Sequence, residues 1–303
     1  MPRAQVNGVE LEYETFGSRS ARPLVLIMGL GAQMILWDEE LCEAFAARDF
    51  FVVRFDNRDV GLSTKLDHAG APNAYAAMQA AAAHQRVDAP YTLSDMADDT
   101  VALMDTLGIE RAHVVGASMG GMIAQMIAIR HPARLLSLTS IMSTTGSPDV
   151  PAASPEALQV LLTPVPSDRD AYVERAIRSW RVIGSKGFPV DEDAVRARAA
   201  RSFDRDFYPA GVARQLVAII ASGNRTQALR EVTTPTLVIH GDADPLAHIE
   251  GGRLTAATIP GAELLVIEGM GHDLPRGAWP RIVDAIDAHA RKASAASSRA
   301  HAG

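Results

Sequence analysis

A serine inside a Gly-x-Ser-x-Gly motif is the residue of this chain best suited to nucleophilic chemistry. The motif is Gly116-Ala117-Ser118-Met119-Gly120, with the apolar run AHVV before it and the helix-like run GGMIAQMIAIR after it. A sharp turn between a strand and a helix puts such a serine in a strained backbone conformation, with its hydroxyl above the sheet. A Cβ at either outer glycine would collide with the neighbouring strand or helix. We therefore predict that Ser118 is a nucleophile rather than an incidental serine in a glycine-rich turn.

A histidine must accept the proton of that serine, because a hydroxyl is a weak nucleophile without an adjacent base. The chain has nine histidines. His272 follows the apolar run ELLVIEG and the turn Gly269-Met270-Gly271, where a sheet strand is predicted to end. His240 lies inside another apolar run, which favours a packed or supporting role. The sequence therefore indicates His272 as the base.

A carboxylate must keep the histidine in the tautomer that the reaction needs. The apolar run TLVIHG is followed by Asp242, Ala243, Asp244 and Pro245. Asp244 precedes the proline, which favours an extended backbone. Asp242 follows a glycine and is suited to stabilising the turn itself. We favour Asp244 as the acid and keep Asp242 as the alternative.

Acyl transfer also requires N–H donors for the negative charge that develops on the substrate oxygen. The backbone N–H of Met119, directly after the nucleophile, is one candidate. The other is the N–H of Leu30 in the run Met28-Gly29-Leu30-Gly31, where the glycines let the backbone approach a substrate. The alternative for this second run is a flexible turn between a strand and a helix.

Short apolar runs that alternate with helical stretches must position these residues. The chain opens with alternating side chains around Asn7-Gly8, the signal of a β-hairpin. The later runs PLVLIM, FFVVRF, HVVGAS, LLSLTSIM, TLVIHG and ELLVIEG are typical of strands buried on both faces of a parallel sheet. Residues 94–107 carry apolar side chains at helical spacing, and Gly108 follows as a stop signal. The pattern predicts an α/β fold with a mostly parallel central sheet and helices on both faces.

The strand pattern stops in residues 146–230, where helical stretches are separated by prolines. We interpret this segment as a helical cap inserted between two strands of a core formed by residues 1–145 and 231–291. Within it, Trp180 and Phe207 are candidates either for lining a substrate pocket or for packing the interior of the cap, and the sequence favours neither. Residues 292–303 are rich in alanine and serine and are predicted to form a disordered tail.

Composition narrows the class of protein. The 303 residues carry 36 acidic and 29 basic side chains, and no basic stripe or patch is present, which argues against nucleic-acid binding. No apolar stretch has the length of a signal peptide or a membrane span, so we expect a cytoplasmic protein without a membrane partner. The single cysteine, Cys42, excludes an intramolecular disulfide and is expected to be a buried apolar residue.

Taken together, the motifs resemble the α/β-hydrolase superfamily over about residues 6–290. The resemblance is carried by LVLIMGLGAQMILWD, VVRFDNRDVGLST, YTLSDMADDTVALMDTLGIERAHVVGASMGGM, PTLVIHGDADP and IEGMGHDLP. The order serine, aspartate, histidine along the chain is also that of this superfamily. Within it, the motifs look most like the branch of carboxylesterases that contains aclacinomycin methylesterase. The resemblance implies a nucleophile, an acid and a base at Ser118, Asp244 and His272, oxyanion donors at Leu30 and Met119, and a cap over the site.

Two positions depart from the family pattern. Many members have histidine before the first glycine of the loop that carries the oxyanion donor, where this chain has Met28. Many also have Arg-Gly-x-Gly-x-Ser after the next strand, where this chain has Arg58-Asp59-Val60-Gly61-Leu62-Ser63. The first departure weakens any hydrogen bond that fixes the loop, and the second leaves the local geometry open. We interpret Arg58 as an ion-pair residue rather than a substrate contact.

The predicted activity is hydrolysis of a small, apolar carboxylic ester through an acyl-enzyme. Other reactions on the same three residues remain alternatives, namely carbon–carbon bond hydrolysis, acyl transfer and perhydrolysis. A third hypothesis is that the chain is a non-catalytic binding protein with this fold. The chemistry needs no metal and no organic cofactor. Asp95, Asp98 and Asp99 lie in the first turns of a predicted helix, where they complement the helix dipole, and a metal site there is the weaker interpretation.

Overall fold

A central eight-stranded sheet organises the chain. The computed structural model describes residues 2–301, with side chains described as far as residue 295. The strands are β1 (Arg3–Val6), β2 (Val9–Phe16), β3 (Arg22–Ile27), β4 (Phe50–Phe55), β5 (Ala112–Ala117), β6 (Leu135–Ile141), β7 (Thr236–Gly241) and β8 (Glu263–Ile267). They lie in the order β1-β2-β4-β3-β5-β6-β7-β8. Strand β1 pairs with β2 and β2 with β4 in antiparallel fashion, and every later pairing is parallel.

The first two strands form the predicted hairpin. Asn7 and Gly8 connect them, and both have positive φ angles, of 40° and 79°. Two positive φ angles define the turn whose twist matches that of the paired strands, which is why Asn-Gly is favoured there. The turn pairs Val6 with Val9 and sets the register of the whole hairpin.

Eleven α-helices lie among the described residues. They are α1 (Glu39–Ala46), α2 (Ala74–Ala82), α3 (Leu93–Thr106), α4 (Met119–Arg130), α5 (Pro155–Leu162), α6 (Arg169–Ile183), α7 (Glu192–Arg205), α8 (Pro209–Ser222), α9 (Thr226–Leu229), α10 (Ile249–Thr258) and α11 (Trp279–His301). None of the helices within residues 2–301 is long and apolar enough to cross a membrane.

Helices cover both faces of the sheet. Side chains alternate between the two faces along a strand. In β3, Val25 and Ile27 pack into one apolar cluster with α3 and α4, whereas Leu24 and Leu26 pack into a second cluster with α1 and α11. Cys42 lies in the second cluster, where burial raises the pKa of its thiol to about 12. The predicted sheet with helices on both faces is therefore confirmed.

Five helices, α5 to α9, lie between β6 and β7. This part of the chain, residues 142–235, is called the inserted segment below, and the structure places no strand in it. Helices α6 and α7 share a small apolar cluster of their own, formed by Val173, Ile177, Val195 and Ala199. Two prolines of this segment, Pro155 and Pro209, are the first residues of α5 and α8, where a missing N–H costs nothing.

The end of the chain differs from the prediction. Helix α11 continues to His301, so the prediction of a disordered tail from Lys292 onward is wrong as far as that residue, and residues 302–303 lie outside the described residues. Alanine has the highest helix propensity of the amino acids, and an alanine-rich stretch extends an existing helix at little cost. Ala293 is also buried, and Lys292 forms an ion pair with Glu263.

A buried histidine in β5 makes the stability of the fold depend on pH. His113 is only 1% exposed, its Nδ1 lies 2.8 Å from Ser137 Oγ, and its ring meets that of Phe50 edge to face. Burial lowers the pKa of His113 to about 4, with a further contribution from the positive charge of Arg22. The unfolded chain binds a proton at this side chain near pH 6.5. The folded chain therefore loses stability from this residue as the pH falls from about 6.5 to about 4.

We expect His113→Gln to flatten the pH dependence of stability. The amide keeps a polar group beside Ser137 but does not titrate, so it removes a loss of about 3 kcal/mol over this pH window. The measurement is the free energy of unfolding by urea at several pH values between 7 and 4. His240 and His289, whose pKa values are also lowered by burial, are present in both proteins and cancel in the comparison. If the free energy of unfolding fell with pH by the same amount in both proteins, His113 would not be the source of this pH dependence.

Candidate active site

Ser118 occupies the turn between β5 and α4. Its φ of +56° lies in a region that non-glycine residues rarely adopt. The backbone is fixed in this conformation because Ser118 N donates a hydrogen bond to Ile141 O at the end of β6, at 2.9 Å. A residue at the turn of two packed elements with a strained backbone is typical of functional sites.

The two outer glycines of the motif allow the turn to pack. A Cβ on Gly116 would lie 2.0 Å from Gly120 O, and one on Gly120 would lie 2.1 Å from Ile27 O in β3. Both distances are far below van der Waals contact. Any side chain at either position would therefore push α4 away from the sheet and move Ser118 with it.

The structure brings Asp244, not Asp242, to His272. Asp244 Oδ2 lies 2.8 Å from His272 Nδ1. Its other oxygen accepts hydrogen bonds from Leu246 N and Ala247 N, both at 2.9 Å, which fix the carboxylate in the turn after β7. Asp242 is exposed and accepts a hydrogen bond from Gly269 N at 2.7 Å, so it stabilises the adjacent loop instead.

His272 joins the acid to the serine. Its Nε2 lies 3.0 Å from Ser118 Oγ, and its side chain is only 10% exposed. Because Asp244 can only accept, His272 Nδ1 carries the proton and Nε2 is left free to accept the serine proton. The three side chains predicted from the sequence therefore form one continuous hydrogen-bonded chain.

His240 lies near the same carboxylate oxygen of Asp244 that faces His272. Its Nε2 donates to Ala247 O at 2.8 Å and lies 3.8 Å from Asp244 Oδ2. Burial lowers the pKa of His240, so its ring is neutral at pH 7. This placement agrees with a supporting role and leaves His272 as the histidine that reaches the serine.

The inserted segment forms hydrogen bonds with the loop that contains His272. His272 N donates to Ile183 O at 2.7 Å, and Gly271 N donates to Ser185 Oγ at 2.9 Å. Ser185 Oγ in turn donates to Asp273 Oδ1, which also accepts from Ser185 N. Sequence reasoning missed Ser185, because no local pattern links a residue after α6 to a loop almost ninety positions later.

The two residues predicted as oxyanion donors lie in segments next to Ser118. Met119 is the first residue of α4, where an N–H has no acceptor within its own helix. Leu30 belongs to residues 28–33, called the β3 loop below. Its neighbour Gly29 is so close to the serine that a Cβ there would lie 3.1 Å from Ser118 Cβ. The loop therefore passes directly beside the nucleophile.

Arg58 lies in a buried ion pair. Its Nε and one of its terminal nitrogens donate to the two oxygens of Asp99, each at 2.6 Å. Asp95 accepts from Thr92 N at 2.7 Å in a cap of α3, and Asp98 pairs with Arg130 at 2.9 Å. Within the part of the chain that the structure describes, no group of three or more His, Cys, Asp or Glu is arranged to bind a metal.

The two aromatic residues proposed for the substrate pocket lie in the inserted segment. Phe207 packs against Phe203 and Tyr172, with ring centroids 5.0 Å and 6.1 Å away. Trp180 packs at the edge of the apolar cluster shared by α6 and α7. Both rings are partly exposed, and the packing partners named here belong to the same segment. Packing among the helices is therefore visible, and a role in substrate binding stays a prediction.

Comparison with known proteins shows the family. Residues 22–275 match the family model of the alpha/beta hydrolase fold. The chain therefore belongs to the α/β-hydrolase family. Rhodomycin D methylesterases from Streptomyces sp. (strain C5) and from Streptomyces peucetius are each 32% identical to it over 311 residues, which cover 94% of this chain and 96% of theirs. The predicted class of enzyme, a carboxylic ester hydrolase, is the class that these two names describe.

Solved structures show the same fold. The enol-lactonase from Burkholderia xenovorans LB400 superposes with a TM-score of 0.68 at 26% identity, covering 97% of this chain and 100% of that one. A meta-cleavage product hydrolase from Pseudomonas fluorescens IP01 reaches a TM-score of 0.76 at 18% identity, covering 97% and 98% of the two chains. At 18% identity, the similarity to the meta-cleavage product hydrolase shows a shared fold and carries no conclusion about activity.

Proposed function

We propose that this protein is a carboxylic ester hydrolase that uses Ser118 as nucleophile, His272 as general base and Asp244 as the acid that orients the base. The observation that carries the proposal is the hydrogen-bonded chain from Asp244 through His272 to Ser118, with distances of 2.8 Å and 3.0 Å. Two methylesterases among the relatives support ester hydrolysis as the reaction on these residues.

The first half of the reaction forms an acyl-enzyme. His272 Nε2 takes the hydroxyl proton as Ser118 Oγ attacks the ester carbonyl carbon. The negative charge moves to the carbonyl oxygen, which accepts hydrogen bonds from the N–H groups of Leu30 and Met119. When the tetrahedral intermediate collapses, His272 returns the proton to the leaving oxygen, and the alcohol departs. The charge of Asp244 stabilises the imidazolium while it exists.

The second half uses water in the same way. His272 takes a proton from a water molecule, whose oxygen attacks the acyl carbon bonded to Ser118 Oγ. Collapse of this second intermediate returns a proton to Ser118 and releases the carboxylic acid. Every proton is accounted for by His272, so the cycle needs no metal and no organic cofactor.

For the substrate we propose a methyl ester or another ester of a small alcohol with an apolar acyl part. We propose a small alcohol as the leaving group because two relatives are methylesterases. We further propose that residues 146–230 act as a cap over a core of residues 1–145 and 231–291. Strand ends in a parallel sheet present their ligands at one edge, and the inserted segment leaves from that edge after β6. A cover there would exclude water and strengthen the charge interactions beneath it.

A substrate panel tests the proposal. Purified protein is assayed with methyl and p-nitrophenyl esters of graded acyl length, and in parallel with a meta-cleavage product, which requires carbon–carbon bond cleavage. We expect turnover of the esters and loss of that turnover in Ser118→Ala. Turnover of the meta-cleavage product without ester hydrolysis would replace the proposed reaction by another one on the same residues.

Trp180→Ala and Phe207→Ala should change the preferred acyl length if their rings line the pocket. A methylene group in an apolar pocket contributes about 1–3 kcal/mol, so the shift should be graded along the series. The measurement is kcat/KM for each ester with each variant. A fall by one common factor across the series would show that these rings only pack the inserted segment.

A further inference from the structure

Helix α8 of the inserted segment reaches the β3 loop through the side chain of Gln215. This side chain is fully buried. Its Oε1 accepts a hydrogen bond from Gly31 N, and its Nε2 donates one to Arg58 O, both at 2.8 Å. Because a backbone N–H only donates and a carbonyl only accepts, these partners fix which end of the amide faces the loop. The glutamine therefore ties the β3 loop to the loop that follows β4.

Gly31 has the conformation that this contact requires. Its φ is +64°, in the left-handed region. A Cβ on Gly31 would lie 3.0 Å from Cγ2 of Val212, which precedes Gln215 by one turn on the same side of α8. Helix α8 therefore supports the loop by an apolar contact and a hydrogen bond at the same residue.

Leu30 lies between this support and the nucleophile. On one side is Gly31, bonded to α8, and on the other is Gly29, whose backbone packs against Ser118. The peptide between Gly29 and Leu30, which carries the Leu30 N–H, is also held by a hydrogen bond from Ala32 N to Gly29 O at 3.2 Å, so Gly31 lies within a turn that begins at this peptide. The direction of the Leu30 N–H therefore depends on where Gln215 holds Gly31.

The start of the β3 loop and the residue that follows it are fixed by side chains of the core, whereas Gln33 at its end donates to Ser202 O of the inserted segment at 2.7 Å. Asn57 Nδ2 donates to Met28 O at 3.0 Å, and Asp56 Oδ1 accepts from Met34 N at 2.7 Å. The Met28 side chain offers only a weakly accepting thioether at the position where many members of the family have histidine. The ends of the loop are thus held through the side chains of Asn57, Asp56 and Gln33. Its centre is held by Gln215 and by the hydrogen bond from Ala32 N to Gly29 O.

We infer that Gln215 is a positioning residue for the oxyanion donor Leu30, so that the inserted segment takes part in building the catalytic site as well as covering it. This inference rests on the proposed function. Removal of a whole oxyanion donor lowers kcat by about 10²–10³-fold. A donor that is present but displaced should cost less, about 10- to 100-fold. The loss should fall on kcat rather than KM, because the oxyanion exists only in the transition state.

Two substitutions of Gln215 separate positioning from packing. Gln215→Met keeps the length of the side chain but accepts no strong hydrogen bond from Gly31 N. Gln215→Glu keeps an oxygen in that place, whether its carboxyl group is ionised or protonated. We expect kcat per active site to fall about 10- to 100-fold in Gln215→Met, with KM within about threefold of wild type, and to recover to within about fivefold in Gln215→Glu.

Active sites are counted by titration with a phosphonate ester, and the melting temperature of each variant is measured alongside. A merely structural role would lower the melting temperature and the number of active sites but not the kcat of each site. Binding of a trifluoromethyl ketone, whose adduct with the serine carries an oxyanion, should weaken in Gln215→Met by the same factor as kcat/KM. Wild-type kcat per site in Gln215→Met, or equal losses in the two variants, would overturn the inference.

Tyr208→Phe serves as the matched control. Tyr208 precedes the first residue of α8, and its hydroxyl accepts a hydrogen bond from Arg214 at 2.7 Å and donates one to Asp67. Its removal loosens the same helix without touching the β3 loop, so kcat should stay within about twofold of wild type. If wild type hydrolyses no ester, the proposed function fails. If wild type is active and Gln215→Met matches it, only the inference fails.

Discussion

Replacing Ser118 with alanine should lower kcat for ester hydrolysis by roughly 10⁶-fold while leaving the fold intact. The reason is that, in the proposed mechanism, Ser118 Oγ forms the covalent bond to substrate, and it lies 3.0 Å from His272 Nε2, the proposed base. An alanine methyl group fits wherever a serine side chain does, and the backbone of the turn is fixed by its hydrogen bond to Ile141 O. The measurement is kcat at saturating ester, together with the melting temperature of both proteins.

Ser140→Ala is a suitable control for this experiment. Ser140 is a buried serine of the neighbouring strand β6, and its hydroxyl has no hydrogen-bond partner within the described residues. Removing an unpaired buried hydroxyl should leave kcat and stability close to those of wild type. A Ser118→Ala protein with substantial activity, or a Ser140→Ala protein with an equal loss, would contradict the assignment of the nucleophile.

Asp244→Asn should lower kcat by roughly 10⁴-fold. The substituted amide can present an N–H where the carboxylate accepted the proton of His272 Nδ1, at 2.8 Å. The histidine then favours the tautomer with its proton on Nε2, where it cannot take the proton of Ser118. Leu246 N and Ala247 N can still donate to the amide oxygen, so the turn after β7 should persist.

Asp242→Asn provides the comparison. This residue is exposed, and an amide oxygen can replace the carboxylate oxygen that accepts from Gly269 N at 2.7 Å. We expect kcat within a few-fold of wild type and only a small change in melting temperature. If Asp242→Asn abolished activity and Asp244→Asn did not, the roles of the two aspartates would have to be exchanged.

The fold and the three central side chains could be predicted from the sequence because local rules govern them. A hairpin turn needs two positive φ angles, and Asn7-Gly8 provides them. The turn at Ser118 needs glycine on both sides, and the distances below 2.2 Å from the missing Cβ atoms show the reason. The choice between Asp242 and Asp244 followed from the difference between a turn-forming residue and one before proline.

The remaining parts of the site could not be predicted because they depend on contacts distant in sequence. Gln215 meets Gly31 across more than 180 positions, and Ser185 meets Gly271 across 86. Either residue alone is an ordinary polar side chain in a helix or loop. The error at Lys292 has another cause, since an alanine-rich stretch suits both a disordered tail and a helix, and the burial of Ala293 favours the helix.

The most direct test of Ser118 as the nucleophile is covalent labelling with a fluorophosphonate ester, read out by mass spectrometry of the digested protein. Such a reagent reacts with a serine only where a base has activated it. We predict one label per chain, on the peptide that contains Ser118, and loss of ester hydrolysis in proportion to labelling. Ser118→Ala should take up no label, and His272→Ala should react far more slowly. A label on any other serine, or a fully labelled protein that still hydrolyses esters, would contradict the assignment of Ser118 as the nucleophile.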